Sequence, residues 1–413
     1  MKLLIYEHVS AGAFREKAIS PSVLCEGFGM LRTAVEDAKS AGHTVTAILD
    51  EQIAALNPPL LADSIIAARS LVQAENVLFE AAENCDAEYI IAPETKDKLQ
   101  QLVQKIEQTH AQSLNSTSSA IAQASNKFLL KQHARKLGLA TPKTFTFTIE
   151  NDPDSIVQTI SEKIGFPAVL KPAQSVGCEA LSIVNGEEQA KAATTKLLNH
   201  AGSPFIAQPL VQGTAASVTL ISNGTEAQPI ALNKQHIAMK PPNQLSNYNG
   251  GTTPLDDKSK AEAYDSAKQL VESIKGLQGY IGVDLVLTEN EPVMIEVNPR
   301  LTTSYVGIRK TLKFNLMQAT INAILTRKLP KTKETTCYAH FEKIKTTKPT
   351  NAALQQTFTL PEITSPPFPL THSGFTYAML CTQGATPQQA KRTFGKTKKR
   401  LQTKLQNGGK RAR

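Results

Sequence analysis

The chain has no apolar run approaching the roughly 20 residues needed to cross a bilayer, which argues against a membrane protein. Its N-terminus, Met1 to Tyr6, is apolar only briefly before Glu7 and His8 interrupt it. It lacks the long apolar centre and small-residue cleavage site of a secretory signal, so this stretch is expected to be a first β-strand. The five cysteines (Cys25, Cys85, Cys178, Cys337, Cys381) are scattered, odd in number and never arranged as CxxC. Neither a disulfide framework nor a zinc site is thereby indicated, and the cytoplasm is the expected compartment. Acidic residues are absent from Lys391 to Arg413, where ten lysines and arginines accumulate, one more than the whole net charge of +9. The basicity therefore belongs to the tail, and the body is almost neutral. Within the tail no aromatic residue beyond Phe394 interleaves with the charges to stack on bases, which disfavours a nucleic-acid partner. Ala390, Phe394, Leu401 and Leu405 form an apolar stripe at helical spacing, as expected of a helix packed on the body with its basic face solvated.

What is present is an ordinary globular enzyme composition, 41% apolar and 20% charged over 413 residues. That length suggests two or three domains. Residues 1–112 alternate strand and helix. KLLIY is followed by a loop and a helix opened by Ser20-Pro21 as N-cap and first-turn pair. The helix shows an apolar stripe of Leu24, Phe28, Leu31, Val35 and Ala38. HTVTAIL, more helix and EYIIAPE follow, so the expected class is α/β with a parallel sheet. Ligands of such sheets bind beyond the carboxyl ends of strands, which makes the loop Glu7–Phe14 a candidate substrate wall.

Residues 110–119 read as a polar linker into a second domain spanning 113–330. A helix is expected through Lys127 to Leu137. The pattern then becomes β-rich, an α+β unit with PAVLKPA, EALSIV, PFIAQPLV, AASVTLIS, AQPIALNKQHI, GYIGVDLVL and PVMIEVNP as strands. Helices are expected over 186–199, 258–276 and 313–326. Residues 331–413 form a C-terminal β/α extension.

The strongest chemical signal joins Asp284 in GYIGVDLVL with Glu296 and Asn298 in VMIEVNPR. The turn TENEP separates two predicted strands, so a hairpin brings these residues together. Glu296 and Asn298, two apart, share one strand face. Hard oxygen donors on one face suit magnesium. Two lysines precede them: Lys127 in SNKFLLKQ and Lys171 at the end of PAVLKP. A lysine beside phosphate supplies a compact point charge. After Lys171, Gly177 stands in a tight loop where backbone N–H groups could approach phosphate oxygens. The segment FIAQPLVQG offers backbone groups and apolar side chains suited to a purine. Taken singly, each piece reads as a polar strand end, a solvated lysine or an ordinary hairpin.

In series, SNK, VLKP with its glycine loop, QPLVQG, GVD and IEVNPR resemble the ATP-grasp superfamily over roughly residues 115–330. The preceding α/β domain looks like that family's usual N-terminal partner. The resemblance implies a two-subdomain ATP-grasp fold, with residues of about 141–208 as a lid. It also implies an ADP-forming ligase that activates a small-molecule carboxylate as an acyl phosphate and joins it to an amine. Lys127 and Lys171 would bind ATP phosphates, and the Gly177 loop would close over them. Gln208, Leu210 and Val211 would line the adenine pocket, with Gln212 near the ribose. Asp284, Glu296 and Asn298 would hold one or two magnesium ions, with manganese as a substitute. Arg300, with Lys171, would act on the transferred phosphoryl group. The chain departs from its relatives at Gln174-Ser175, where Asp-Gly is frequent, at Gln212, where an acid is frequent, and at Asn126, where Asp is common.

IYEHVSAGAF, SVLCEGFGMLRT, NKQHI, YNGG and NPRLTTSYVGIRK further resemble the group that includes tyramine–glutamate ligase of methanofuran biosynthesis and its bacterial relatives. That likeness implies glutamate and a phenolic amine as substrates. Glu7, Tyr248, Ser304, Tyr305 and Arg309 are the candidate substrate contacts. Glu7 could meet an ammonium group, and Arg309 could meet a carboxylate through its planar fork. Tyr248 lies in the turn-rich SNYNGG, a candidate wall over the site. His236 in NKQHI reads as structural, and Cys178 as a packing residue, because phosphoryl transfer needs no covalent nucleophile. The oligomeric state stays open, with a homo-oligomer compatible.

Overall fold

The computed structural model describes residues 1–16, 19–173, 178, 180–199, 204–331 and 335–410, with side chains as far as Gln406. The expected position of Gly177, with Gln174 and Ser175, lies outside the described residues. Among the described residues three sheets organise the chain.

The first sheet is parallel and contains β1 (Lys2–Glu7), β2 (Thr44–Asp50), β3 (Ser64–Ala68), β4 (Ala87–Ile91) and β5 (Gln112–Ser113), in the order β3-β2-β1-β4-β5. Its central strand is buried on both faces, which explains why Leu3 to Tyr6 read as a continuous apolar run rather than an alternation. Leu3 and Ile5 pack with Leu24, Phe28, Leu31 and Val35 of the helix Pro21–Ser40. Leu4 and Tyr6 pack on the opposite side with Leu78, Leu99 and Leu102. Ser20 caps the first helix as its sequence suggested, its side chain accepting from the N–H of Ser22.

The supposed polar linker is a correction. Leu114, Asn115 and Ser116 are all buried. Asn115 lies beside β4: its Oδ1 accepts from the N–H of Ile90 at 2.9 Å, and its Nδ2 donates to the Ile90 carbonyl at 2.8 Å. An amide side chain thus completes the sheet edge where backbone pairing stops, so its polarity marks pairing rather than exposure. The helix expected through Lys127 is also divided, into Ser118–Ser125 and Lys127–Lys136. Asn126 breaks it and caps the second part, its Oδ1 accepting from the N–H groups of Phe128 and Leu129.

A four-stranded antiparallel sheet follows: β6 (Phe145–Phe147), β7 (Ala168–Pro172), β8 (Ser182–Val184) and β9 (Phe205–Pro209), ordered β6-β9-β7-β8. A helix not foreseen, Pro153–Lys163, covers it with Ile156 and Ile160. Asp152 as N-cap and Pro153 at the first position are the signals that could have revealed it.

The third sheet has eight antiparallel strands: β10 (Thr214–Asn223), β11 (Ala227–Ala238), β12 (Asn247–Thr253), β13 (Gln278–Leu287), β14 (Pro292–Asn298), β15 (Tyr338–Thr347), β16 (Ile363–Ser365) and β17 (Phe375–Gly384). Their order is β14-β13-β10-β11-β12-β15-β17-β16. FIAQPLVQGTAASVTLI is therefore no hairpin, because β9 and β10 belong to different sheets. SNYNGG is not a turn either: it supplies β12 in the sheet interior. A side chain at Gly250, where φ is +137°, would place Cβ 2.1 Å from the Phe341 carbonyl oxygen, so glycine permits the close approach of β15. Strands from beyond residue 330 thus continue the same sheet that carries Asp284. The helix Pro387–Lys410 lies on β17 and β15 through buried Ala390, Phe394 and Leu401, the stripe read from the sequence. Among the described residues no helix is long and apolar enough to cross a membrane.

Candidate active site

A cavity of about 580 Å³ is bounded by residues of all three sheets, a volume suited to small-molecule ligands. One wall is the β13–β14 pair. Asp284 stands opposite Glu296 in the register, and Gly282 opposite Asn298. Asn298 Nδ2 donates to Asp284 Oδ2 at 3.2 Å. Gln235 of β11, which the sequence reading missed, donates its Nε2 to Asp284 Oδ1 at 2.9 Å. Lys127 Nζ lies 3.2 Å from Glu296 Oε2, so the first residue of its helix reaches the acidic pair. Lys171, buried at the end of β7, lines the same cavity.

The electrostatics of this wall are asymmetric. Burial, and then the charge of Glu296, push the Asp284 carboxyl above its ordinary range. Burial also opposes ionisation of Glu296, but Lys127 and Lys171 outweigh it and hold that carboxyl low. Lys171 in turn is lowered by burial, against the opposing pull of Glu296. Two carboxylates, an amide and two lysines in one half-buried wall make a centre short of cations on its Asp284 side. Two carboxylate groups and the amide oxygen of Asn298 are hard donors, a set that fits magnesium.

Arg300 also faces the cavity. Its Nε and Nη2 each lie 2.9 Å from a different oxygen of Glu94, in the loop after β4, and Nη1 donates to the Leu301 carbonyl. Leu210 and Val211 line the other side with Gln208. The Leu210 N–H donates to the Pro167 carbonyl at 3.0 Å, and Gln208 Nε2 donates to Thr144 Oγ1. Those two donors are engaged within the protein, leaving apolar contact as the plainer contribution of Leu210. Gln212 is exposed, between Val211 and Gly213, which both line the cavity.

The substrate residues divide. Tyr248 and Ser304 line the cavity. Glu7 lines it too, but its carboxylate accepts from the N–H groups of Val9 and Ser10 and from Ser10 Oγ. It staples its own loop, so it is not free for an ammonium group. Tyr305 and Arg309 do not line the cavity at all. The Tyr305 hydroxyl donates to Asp37 Oδ2 at 2.6 Å, and Arg309 binds Asp37 Oδ1 through Nε and Nη2 and reaches Glu36 through Nη1. Both anchor the turn after β14 to the helix Pro21–Ser40, because acids on that helix, far away in sequence, take up their polar groups.

In the place expected for Glu7 stands Glu26, a cavity residue not singled out from the sequence. Thr303 Oγ1 donates to its Oε2 at 2.8 Å, and the Lys343 ammonium of β15 pairs with Oε1. Lys343 also donates to Ser22 Oγ and lies 5.5 Å from the Tyr248 ring centre. Val23, Met30 and Val9 add apolar surface nearby. The Cys178 thiol is pushed up to about 12 by burial, so it is no nucleophile at neutral pH.

With this geometry in view, residues 124–304 match the ATP-grasp domain family and residues 43–121 the pre-ATP-grasp domain family. The chain is similar to tyramine–L-glutamate ligase of Methanocaldococcus jannaschii, at 26% identity over 74% of this chain and 84% of that protein. Among solved structures it resembles the L-amino acid ligase of Bacillus licheniformis, with a TM-score of 0.68 and 14% identity over 96% of this chain and 97% of that one. It also resembles N5-carboxyaminoimidazole synthase of Aspergillus clavatus, solved with ADP and 5-aminoimidazole ribonucleotide, with a TM-score of 0.68 and 18% identity over 97% and 98% of the two chains. The chain is an ATP-grasp ligase, with a pre-ATP-grasp domain ahead of its ATP-grasp domain.

Proposed function

We propose that this enzyme is an ADP-forming carboxylate–amine ligase that joins the γ-carboxyl of glutamate to tyramine, tyrosine or a related phenolic amine. The observation that carries the reaction type is the meeting of Asp284, Glu296 and Asn298 with Lys127 and Lys171 on one cavity wall. Asp284, Glu296 and Asn298 would hold magnesium, which would supply positive charge to offset that of the phosphates during transfer. Lys127 and Lys171 orient the phosphates, and Leu210 and Val211 give the purine an apolar face. Arg300, fixed by Glu94, faces the phosphoryl group in transit.

A carboxylate oxygen of the donor attacks the γ-phosphorus and ADP departs. The neutral amine then attacks the acyl carbon, and phosphate leaves with that carboxylate oxygen. Glu26, held by Lys343 and Thr303, fixes the wall beside Tyr248, and the Tyr248 ring with Met30 and Val23 suits an aromatic amine. The support for these two substrates is the relationship to tyramine–L-glutamate ligase. We take residues 1–112, 113–330 and 331–413 as the units of the chain, with roughly 141–208 as the lid.

The test is ADP release across a panel of amino acids, each assayed with tyramine, with aliphatic amines and with hydroxylamine as a small trap for acyl phosphate. Glutamate-dependent ADP release, with hydroxamate in the trap and an amide only with phenolic amines, supports the proposal. ADP release with other acids and none with glutamate overturns the substrates.

A further inference from the structure

We propose that His236, His340 and Glu342 form a binding site for a divalent transition-metal ion of the zinc type, on the sheet face turned away from the catalytic cavity. His340 and Glu342 alternate along β15 with Phe341 and Lys343, which face the helix Pro21–Ser40. On β11, His236 sits at a register shift between Gln235 and Ile237, which line the cavity, and its ring lies 5.3 Å from that of His340. The three side chains therefore gather behind the sheet, beneath the C-terminal helix.

One potential ligand atom from each of the three lies within 4.8 Å of the others. In a tetrahedral zinc site neighbouring ligand atoms stand about 3.4 Å apart, given bond lengths near 2.0–2.1 Å. Closing that difference takes side-chain rotations of about an ångström. His340 is the fixed member: it is buried, and the edge of its ring meets Phe394 at 4.9 Å between centroids. His340 Nδ1 stands 3.0 Å from Thr252 Oγ1, and its Nε2 faces Glu342 Oε2 at 3.3 Å. If Nδ1 donates to the threonine, Nε2 presents a lone pair toward a carboxylate, an arrangement that a shared cation satisfies. Thr252 then sets the tautomer of a metal-binding histidine, the usual task of such a partner. Glu342 and His236 are half-buried, which leaves an ion a route from solvent.

Two imidazoles and a carboxylate favour zinc over magnesium, which prefers oxygen alone. Three protein ligands leave a fourth position for water. Lys234, Lys391 and Lys398 lie close enough to oppose a dication, so Glu342 must offset them. Without an ion, the alternative is a closed hydrogen-bond set in which the threonine donates to Nδ1 and Nε2 donates to Glu342.

The experiment uses the full-length protein after chelator treatment, titrated with zinc in excess magnesium to cover the catalytic wall. Retained metal and thermal midpoint are read together, with cobalt as a spectroscopic substitute. One equivalent of zinc, a raised midpoint, and at least tenfold weaker binding in both His236→Gln and Glu342→Gln are expected. ADP formation by these variants should be unchanged. No retained zinc, equal retention by the wild type and both variants, or loss of zinc in Glu296→Gln instead would overturn the site.

Discussion

Glu94 holds Arg300 by two contacts of 2.9 Å, one to Nε and one to Nη2, reaching from the parallel sheet to the catalytic cavity. The pair ties a residue after β4 to one directly after β14 and fixes the plane of the guanidinium. Glu94→Ala leaves Arg300 without its partner and should lower turnover roughly 10- to 100-fold, the scale of losing an orienting partner. Arg300→Lys should not restore the geometry, because an ammonium cannot form the fork. Steady-state kinetics of the two variants check this. Normal turnover in Glu94→Ala would show that Arg300 needs no such holding.

Glu296→Gln should abolish ligation while leaving the melting profile nearly unchanged. The residue faces Asp284 and Lys127 in a partly open wall, so its loss removes charge rather than packing. ADP release at saturating magnesium is the readout. Near-normal release would place the phosphoryl-transfer centre elsewhere.

Arg309→Ala should destabilise the protein by about 3–5 kcal/mol, the cost of leaving a buried partner charge unpaired, because Asp37 would keep only the Tyr305 hydroxyl, while Glu36 retains Arg32. Substrate KM values should hold. Denaturant unfolding together with kinetics separates the two roles: a raised KM with unchanged stability would return Arg309 to the substrate site.

These four variants mark what could be read from the chain and what could not. Asp284, Glu296 and Asn298 were legible because a short hairpin joins them, and strand alternation places neighbours without knowledge of the tertiary fold. The helix Pro21–Ser40 announced itself through its cap and stripe. Arg309 misled because its partner Asp37 is 272 residues away and local pattern says nothing of such a meeting. Lys343 and Glu26 stayed hidden for the same reason. Asn115 and SNYNGG were misread because polar and glycine-rich segments usually mark loops, yet here they complete a sheet edge and admit a close neighbouring strand.

Gly27→Ala should destabilise by about 1–3 kcal/mol, as overpacking does. The added Cβ would come within 2.6 Å of the Glu7 carboxylate, which cannot retreat while it holds the Val9 and Ser10 amides. Thermal unfolding of Gly27→Ala, and of the same change combined with Glu7→Ala, checks the cause. If the second change relieves none of the loss, the clash lies elsewhere.

Glu88 is fully buried, and burial raises its carboxyl pKa to about 8. A folded-state pKa above the unfolded value means that the native state binds the extra proton. Stability should therefore fall as pH rises between about 4.5, the unfolded value, and about 8. Glu88→Gln should remove that slope, gaining stability at pH 8 relative to the wild type. Unfolding curves at several pH values measure it, and parallel wild-type and variant profiles would contradict a protonated Glu88.

The most direct measurement starts from glutamate carrying oxygen-18 in its γ-carboxyl, incubated with enzyme, ATP, magnesium and tyramine. Transfer through an acyl phosphate places one labelled oxygen in the phosphate released with each ADP and amide formed. Unlabelled phosphate beside a labelled amide, or AMP and pyrophosphate in place of ADP, would contradict it.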